Sequence, residues 1–310
     1  MRTLDLDSLD IFRTVVAEGG VVRAATRLNR VQSNITTRIR QLEERLGVAL
    51  FRREGRGLRL TEEGRKLLTY AEQLLRLAEE ARRALQGGPP SGRFRLGSIE
   101  SAAGVRLPPI LARYHALHPE VMVELCTAPT DALIQRVQKF EIDAAVVSEP
   151  FHAPDLDAIP VFEEELILIA PLGFAVASAS QLAGCTIIAF VQGCSYRRRL
   201  EEWLARGGVA PERVLDFASY HAMVACVAAG AGVAIIPRSV LDGLPARDEV
   251  MQHALPRTIA RSRTHLIWRD PPSRALNAML QLIETSVCIT RDRSTSRRKR
   301  GPAAARLVKS

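Results

Sequence analysis

The stretch that decides the reading runs from residue 24 to residue 64, AATRLNRVQSNITTRIRQLEERLGVALFRREGRGLRLTEEG. Its centre predicts a helix opening at Gln32. At about 100° per residue, Ile35, Ile39, Leu42 and Leu46 fall within one arc of roughly 60°, and Gln32, Ser33, Thr36, Thr37 and Arg40 fill an adjoining arc of roughly 140°. Small polar side chains at a helix start add nothing to helix propensity, so their grouping on one face points to a ligand. Upstream, Leu9, Phe12, Val15 and Val16 keep helical spacing until Gly19-Gly20 breaks it, and Val21 to Leu28 offers a slim apolar face of Ala24, Ala25 and Leu28. Three short helices with a tight turn before the third predict a helix-turn-helix over about 21–40, with a final helix sized for the DNA major groove. Val48–Arg52 and Leu58–Leu60, about the turn Glu54-Gly55-Arg56-Gly57, predict a hairpin carrying Arg52, Arg53, Arg56 and Arg59. A basic hairpin beside a helix-turn-helix is a wing suited to phosphate or the minor groove. The expected DNA-binding domain is 1–61.

Charge supports a polyanion partner at the ends of the chain. Residues 1–60 hold twelve Lys or Arg against seven Asp or Glu, residues 291–310 hold eight against one, and 86–290 hold 18 against 21. A basic head and tail on a mildly acidic body fit a DNA-binding end and a body that stays off the DNA. The tail from about 291 to 310 lacks a core-forming pattern and reads as disordered; its RRKR run adds non-specific DNA affinity or is an inert solubilising tail. Five cysteines without a CxxC pair argue for reduced thiols, the N-terminus carries aspartates and no apolar signal core, and no apolar run approaches the roughly 18 residues of a membrane span. The expectation is a cytoplasmic protein with no membrane contact.

Thr61 is placed to cap a long helix over 62–86, with Glu62 and Glu63 in its first turn. Its positions Leu67, Ala71, Leu74, Ala78, Ala81 and Leu85 step by four and three, a heptad seam that predicts dimerisation unless it packs on the chain's own winged domain. GGPPSG, at 87–92, closes it; a hinge is expected over 87–91. Beyond lie strand patterns FRLGSI, VMVELC, DAAVV, LILIA, TIIAF, GVAIIP and THLIW, alternating with helical ones such as DALIQRVQKF and SYRRRLEEWLARG. Such alternation implies parallel sheets with ligands at the carboxyl ends of strands.

These residues resemble the LysR-type transcriptional regulators over residues 4 to 290. The resemblance rests on the alanine pair Ala24-Ala25, Gln32, Ile39, Leu42-Glu43, Leu46-Gly47, Leu50-Phe51, Leu60-Thr61 and Gly64, and beyond them on GRFRLGSI, LPPILARYHALHPEV, EIDAAVV and AAGAGVAIIP. It implies an α/β chain made of a winged helix-turn-helix, a linker helix and a two-lobed, periplasmic-binding-protein-like effector domain over 92–290. Lobe 1 is then about 92–162 and 266–290, and lobe 2 about 163–265. It further implies a homodimer or homotetramer on a dyad-symmetric double-stranded DNA site, a small-molecule effector between the lobes and no resident cofactor. Two departures stand out. Val31 occupies the place of the family's usual Ser or Thr before the glutamine, and Gly20-Val21-Val22 replaces Ser and an aromatic. A missing hydroxyl cap costs about 1 kcal/mol and leaves the helix start frayed.

The expected DNA contacts are Gln32, Ser33, Thr36, Thr37 and Arg40, reaching base edges or phosphate, with Arg52, Arg53 and Arg56 on phosphate. Effector contacts are expected where strands end and helices begin: Ser98, Glu100, Ser101, Thr130, Glu149, Gly193, Cys194, Ser195, Tyr196 and His221. Glu100 and Glu149 together suggest an amine-bearing effector, whereas Arg197 nearby would suit an anion. Cys194 before Arg197, Arg198 and Arg199 carries an alternative reading, a redox thiol of lowered pKa resolved by Cys185, beside the plainer one of a small lining residue. An enzyme is disfavoured, because six dispersed histidines without HxxxH or HExxH spacing supply neither a metal cluster nor a nucleophile with its base. A purely architectural DNA binder leaves some 200 residues of α/β pattern unexplained.

Overall fold

The computed structural model describes residues 4–54, 57–86 and 88–285. Arg56 and the basic tail therefore lie outside the described residues. The chain divides into two compact units, Met1–Gly88 and Pro89–Ser310.

The first unit starts with α1 (Leu6–Ala17), α2 (Val21–Arg27) and α3 (Gln32–Leu46), followed by β1 (Phe51–Glu54), β2 (Gly57–Leu60) and α4 (Glu62–Gln86). Asp5 caps α1 by accepting the Ser8 backbone N–H at 2.8 Å. The apolar arc of α3 does what its period requires: Ile35, Ile39 and Leu42 bury against Leu9, Ile11, Phe12 and Val15 of α1 and Ala24 and Ala25 of α2. Gly47 ends α3 in the left-handed region at φ 72°, where a side chain would be strained. The hairpin pairs Phe51 with Leu60 and Arg53 with Leu58, and the Phe51 ring meets Phe12 at 5.4 Å. Thr61 caps α4 by accepting the Gly64 N–H at 2.9 Å, and a Cβ on Gly64 would lie 2.2 Å from the Leu50 carbonyl oxygen, so only glycine allows this approach.

The seam on α4 divides in two. Leu67 and Ala71 are buried in the core of their own unit, while Leu74 and Leu85 remain exposed. Leu75, beside Leu74, still packs on the head core, so Leu74 is exposed by the face of α4 it occupies.

The second unit is built on one nine-stranded mixed sheet. In chain order its elements are β3 (Gly92–Ser98), a π-helical turn (Ala102–Arg106), α5 (Leu107–Leu117), β4 (Val121–Thr127), α6 (Thr130–Gln138), β5 (Ala144–Ser148), β6 (Asp157–Pro171), β7 (Thr186–Phe190), α7 (Ser195–Arg206), β8 (Arg213–Phe217), α8 (Tyr220–Ala228), β9 (Val233–Pro237), α9 (Arg238–Leu241), β10 (Val250–Ala254), α10 (Arg257–Ala260) and β11 (Arg261–Trp268). A last helix runs through 274–285. Strand order is β4-β3-β5-β11-β6-β9-β7-β8, with β10 added on β6.

Two parallel triplets, β4-β3-β5 and β9-β7-β8, are joined by β11 and β6, which run antiparallel to each other and to the strands they flank. The alternating pattern predicts only the parallel part. Long β6 serves both halves, pairing with β11 over Asp157–Glu165 and with β9 from Leu166 onward. The changeover is pinned by buried Glu164, which accepts from Arg106 Nε at 2.6 Å and from the Ser239 hydroxyl at 2.6 Å. Arg106 follows β3 and Ser239 sits in α9, so one carboxylate ties both lobes to the crossover. Strands β5 and β9 are buried along their whole length, as continuous apolar runs in a parallel sheet require.

Candidate functional site

On the first unit, Gln32, Ser33, Thr36, Thr37 and Arg40 are all exposed on α3, as are Arg52 and Arg53 on the hairpin. A groove of about 890 Å³ runs between α2, α3 and the hairpin, lined by Gln32, Thr36 and Arg40 on one side and by Arg53 and Leu58 on the other. Gly19, Gly20 and Arg23 form its far lip. The neighbouring charges are sorted. Arg13 pairs with Asp10, Arg30 and Arg38 with Asp7, Arg45 with Asp5 and Arg59 with Glu54. Glu43, also at the groove, accepts the Leu50 and Phe51 backbone N–H groups. Among the described residues, Arg40 and Arg53, which line the groove, have no acidic partner, and neither has Arg52 on the other face of β1; the groove is thus a cationic concave face bordered by small hydrogen-bonding side chains.

The N-terminus of α3 is open in the way its sequence predicts. Val31 stands at the cap position in extended backbone, φ −78° and ψ 146°, with no side-chain hydrogen bond and 68% of its surface exposed. Ser33 and Asn34 thus gain no side-chain acceptor from the cap residue.

In the second unit, a cavity of about 140 Å³ lies where the two lobes meet. Lobe 1 contributes Ile99, Glu100, Thr127, Ala128, Pro129, Thr130 and Ser148; lobe 2 contributes Phe190, Val191, Cys194, Ser195, Tyr196, Ala218 and Tyr220. Of the ten effector residues expected from sequence, Glu100, Thr130, Cys194, Ser195 and Tyr196 line it. Ser98, Ser101, Glu149, Gly193 and His221 do not. The buried Ser98 hydroxyl donates to the Ile99 carbonyl instead. Gly193 stands at the rim, its carbonyl accepting the Asp131 N–H at 3.4 Å. The side chain of Glu149 faces β11, with Oε1 3.5 Å from both Arg263 Nε and His265 Nε2. The carboxylate at this strand end is met across the sheet by the Arg263 guanidinium and the His265 imidazole, so the two-carboxylate part of the amine reading does not hold. Sequence reasoning also missed Thr127, Ser148 and Phe190, each the last residue of its strand. Counting back from the strand ends, rather than forward into the loops, finds them.

The cavity walls are cross-bonded. Ser195 donates to the Ser148 carbonyl at 2.7 Å, Thr130 Oγ1 accepts the Ser148 N–H at 3.3 Å, and the Ser148 and Ser262 hydroxyls meet at 2.9 Å. Arg198 bridges the cleft to Asp131 at 2.9 Å, and Arg199 donates to the Glu149 carbonyl. Arg197 is held by Glu201 and Asp216, so the arginine that sequence offered to an anion is already neutralised. Two hydroxyls sealed from solvent, those of Ser101 and Tyr196, have no well-formed hydrogen bond. Burial pushes the phenols of Tyr196 and Tyr220 up, against smaller pulls from the hydroxyls of Ser101 and Ser148 on Tyr196 and of Ser101 on Tyr220. Burial also pushes the Glu100 carboxyl up, held in check by the Tyr220 backbone N–H and by His221. The Cys194 thiol is raised for the same reason, and the Arg197 and Tyr196 N–H groups do not offset it. The expected lowering of its pKa is therefore overturned by desolvation.

Two family descriptions match the chain: "Bacterial regulatory helix-turn-helix protein, lysR family" over residues 6–65, and "LysR substrate binding domain" over 87–287. Among curated relatives, the HTH-type transcriptional regulator GltR of Bacillus subtilis is 37% identical over 254 residues, covering 81% of this chain and 86% of its own length. The HTH-type transcriptional regulator SoxR of an Arthrobacter strain is 34% identical, covering 91% and 96%. Among solved structures, full-length OxyR of Pseudomonas aeruginosa superposes with a TM-score of 0.66 at 20% identity, covering 92% of this chain and 95% of its own. Full-length CbnR complexed with its target DNA gives 0.63 at 22% identity, covering 91% and 100%. At such identities these structures speak for the fold alone.

Proposed function

Because this chain belongs to the LysR family of bacterial transcriptional regulators, matched in both its DNA-binding and its ligand-binding parts, we propose that the exposed face of α3 reads its operator while the inter-lobe cavity holds the effector that tunes the reading. That the protein is a DNA-binding transcriptional regulator with an effector domain follows from the family itself. The observation that carries the residue-level reading is the convergence of Gln32, Thr36, Arg40 and Arg53 on one groove, where neither Arg40 nor Arg53 has an acidic partner among the described residues, while Arg13, Arg30, Arg38, Arg45 and Arg59 are paired. Gln32 suits the bidentate edge of adenine and Arg40 that of guanine; Ser33, Thr36 and Thr37 suit phosphate or a base edge, and the hairpin arginines grip phosphate. Leu74, Ala78, Ala81 and Leu85 continue the seam along α4 from the buried Leu67 and Ala71, and pairing through them would make the dimer that a two-fold operator needs.

The effector we favour carries an amine. Glu100 alone supports this, as the one charged side chain that lines the cavity among the described residues. Burial disfavours its ionised form, and an ammonium partner would restore it. The protein would act in the cytoplasm, where its DNA target lies, and no chemistry on the effector is invoked. The test is direct: genomic fragments retained by the purified chain define an operator, and Arg40→Ala with Arg53→Ala should abolish retention without lowering the unfolding midpoint. Retention by that double variant at wild-type affinity would remove this face from the operator contact.

A further inference from the structure

We propose that the inter-lobe cavity takes a small apolar monoamine, its ammonium held by Glu100 and Thr127 and its hydrocarbon body lying against Phe190, Val191 and Ala218. The inference deepens the amine reading and rests on it. Its own observation is how little of the polar lining is open to a ligand. Thr130, Ser148, Ser195, Tyr196 and Tyr220 are each at most 4% exposed. The Ser195 hydroxyl donates to the Ser148 and Pro150 carbonyls, that of Ser148 meets Ser262, and that of Thr130 accepts the Ser148 N–H. The Tyr196 hydroxyl is sealed from solvent. Among the described residues no lysine or arginine lines the cavity either. A ligand carboxylate would therefore find no cation and, Thr127 apart, no lining hydroxyl it could reach, so nothing would replace the water it gave up.

What stays open on the polar side is Glu100, half-buried, and Thr127, exposed. The sheet brings them together: Thr127 ends β4 opposite Ser98 at the end of β3, and Glu100 follows Ser98 by two residues. The Glu100 carboxylate takes the Tyr220 N–H of the opposite lobe. That single bond leaves it further acceptor capacity, and the Thr127 hydroxyl oxygen is a second acceptor for an ammonium, which brings three donors. A neutral alcohol could make one of these bonds but without the charge, and charge-assisted hydrogen bonds are about twice as strong as neutral ones. Lobe 2 offers no counterpart. Its reachable surface is Phe190, Val191 and Ala218, and the Phe190 ring packs on that of Tyr220 at 4.5 Å. A second charge on the ligand would be pressed against hydrocarbon. One carboxylate on one lobe and an apolar wall on the other thus define a molecule with one cationic end.

Size sets the remaining limit. A cavity of about 140 Å³ is close to the roughly 150 Å³ that accommodates a benzene-sized guest, so the ligand has about six to eight non-hydrogen atoms. Isopentylamine and benzylamine bracket that range. Three molecules each change one feature of isopentylamine: isopentanol replaces the ammonium by a neutral hydroxyl, 1,4-diaminobutane adds a second charge at equal size, and L-leucine adds a carboxylate.

The test is calorimetry on the full-length chain with these five compounds. At least one of the two monoamines should bind, with isopentanol, 1,4-diaminobutane and L-leucine each at least about tenfold weaker than it. Glu100→Gln, which keeps an acceptor for the Tyr220 N–H, should weaken the monoamine at least about tenfold and bring it level with isopentanol. Ala218→Leu, a change at an exposed position, should weaken benzylamine more than isopentylamine and keep the unfolding midpoint of the free protein. If L-leucine or 1,4-diaminobutane binds as tightly as the monoamines, or binds where they do not, the singly charged ligand is refuted and the amine reading survives. If isopentanol matches isopentylamine and Glu100→Gln changes neither, both fall. If no amine binds to a preparation that retains its operator, both fall while the regulator remains one.

Discussion

Val31→Ser converts the one structural weakness of the recognition helix into a measurable gain. Val31 already has the extended backbone of a cap residue, and its carbonyl accepts the Asn34 N–H at 3.0 Å and the Ile35 N–H at 3.4 Å. A serine there needs no backbone change to offer its oxygen to the N–H of Ser33 or Asn34. Because 68% of Val31 is exposed, little burial is lost in exchange. The gain should be about 1 kcal/mol, within a range of about 0.5 to 2. For a unit of this size that is a rise of about 4–8 °C in its unfolding transition, read by calorimetry on the full chain. If the helix start orders only on DNA, the cap also removes that ordering cost, and operator affinity should rise up to about fivefold in fluorescence anisotropy. The preferred operator should not change. An unaltered or lowered transition would mean that the first turn is satisfied by some other group, and a changed base preference would mean that Val31 itself touches a base.

Further outcomes follow from other parts of the chain. Leu67→Ala should destabilise the head by about 2–5 kcal/mol, because Leu67 is 9% exposed in its core; Leu85→Lys, at a position 90% exposed, should instead leave the transition in place and weaken self-association in sedimentation velocity. Arg53→Ala should weaken DNA binding evenly across sequences and reduce the slope of log affinity against log salt by about 1, whereas Gln32→Ala should relax preference at one base pair. Burial lowers the pKa of His265 against the pull of Glu149, so the unfolded chain binds more protons. The stability held by neutral His265 is therefore complete above about 6.5 and lost as pH falls below it; urea midpoints from pH 7 to 5 should drop in the wild type and less in His265→Phe.

The head was legible because its period is unambiguous. Ile35, Ile39 and Leu42 had to bury, which left Gln32, Thr36 and Arg40 outward, and the structure adds the charge sorting by Asp5 and Asp7, pairs of 23 to 40 residues' separation that no local pattern shows. The sheet was legible in its buried strands. The mixed sequences of β8, RVLDF, and β10, VMQHA, gave too weak an alternation, because their neighbours in the sheet rather than their own composition hold them. In the cavity the strand-end rule found the neighbourhood and missed the orientation. Ser148 and Glu149 are adjacent, yet one lines the cavity and the other turns to Arg263 and His265. That choice depends on which side chains the antiparallel β11 brings alongside, a pairing over more than 100 residues.

That same pairing explains how a ligand of this size could act on a regulator. The cleft is held shut by bonds between lobes, Ser195 to the Ser148 carbonyl, Arg198 to Asp131 and Arg199 to the Glu149 carbonyl, the first and last of them at the end of β5 that pairs with β11. A ligand shifts a closed-to-open equilibrium only by the difference in its affinity for the two states. One touching a single lobe would bind both states alike and change nothing. Glu100 and Thr127 line the cavity from one lobe and Phe190 and Val191 from the other, so a molecule filling it loses contacts when the lobes part. Weakening the latch with Arg198→Ala should therefore favour the open state and reduce ligand affinity at a residue the ligand does not touch, while Arg206→Ala, at the far end of the same helix, should not. Equal affinity in both variants would show that closure and binding are independent, and that the cavity is an existing pocket rather than one of two positions of a switch.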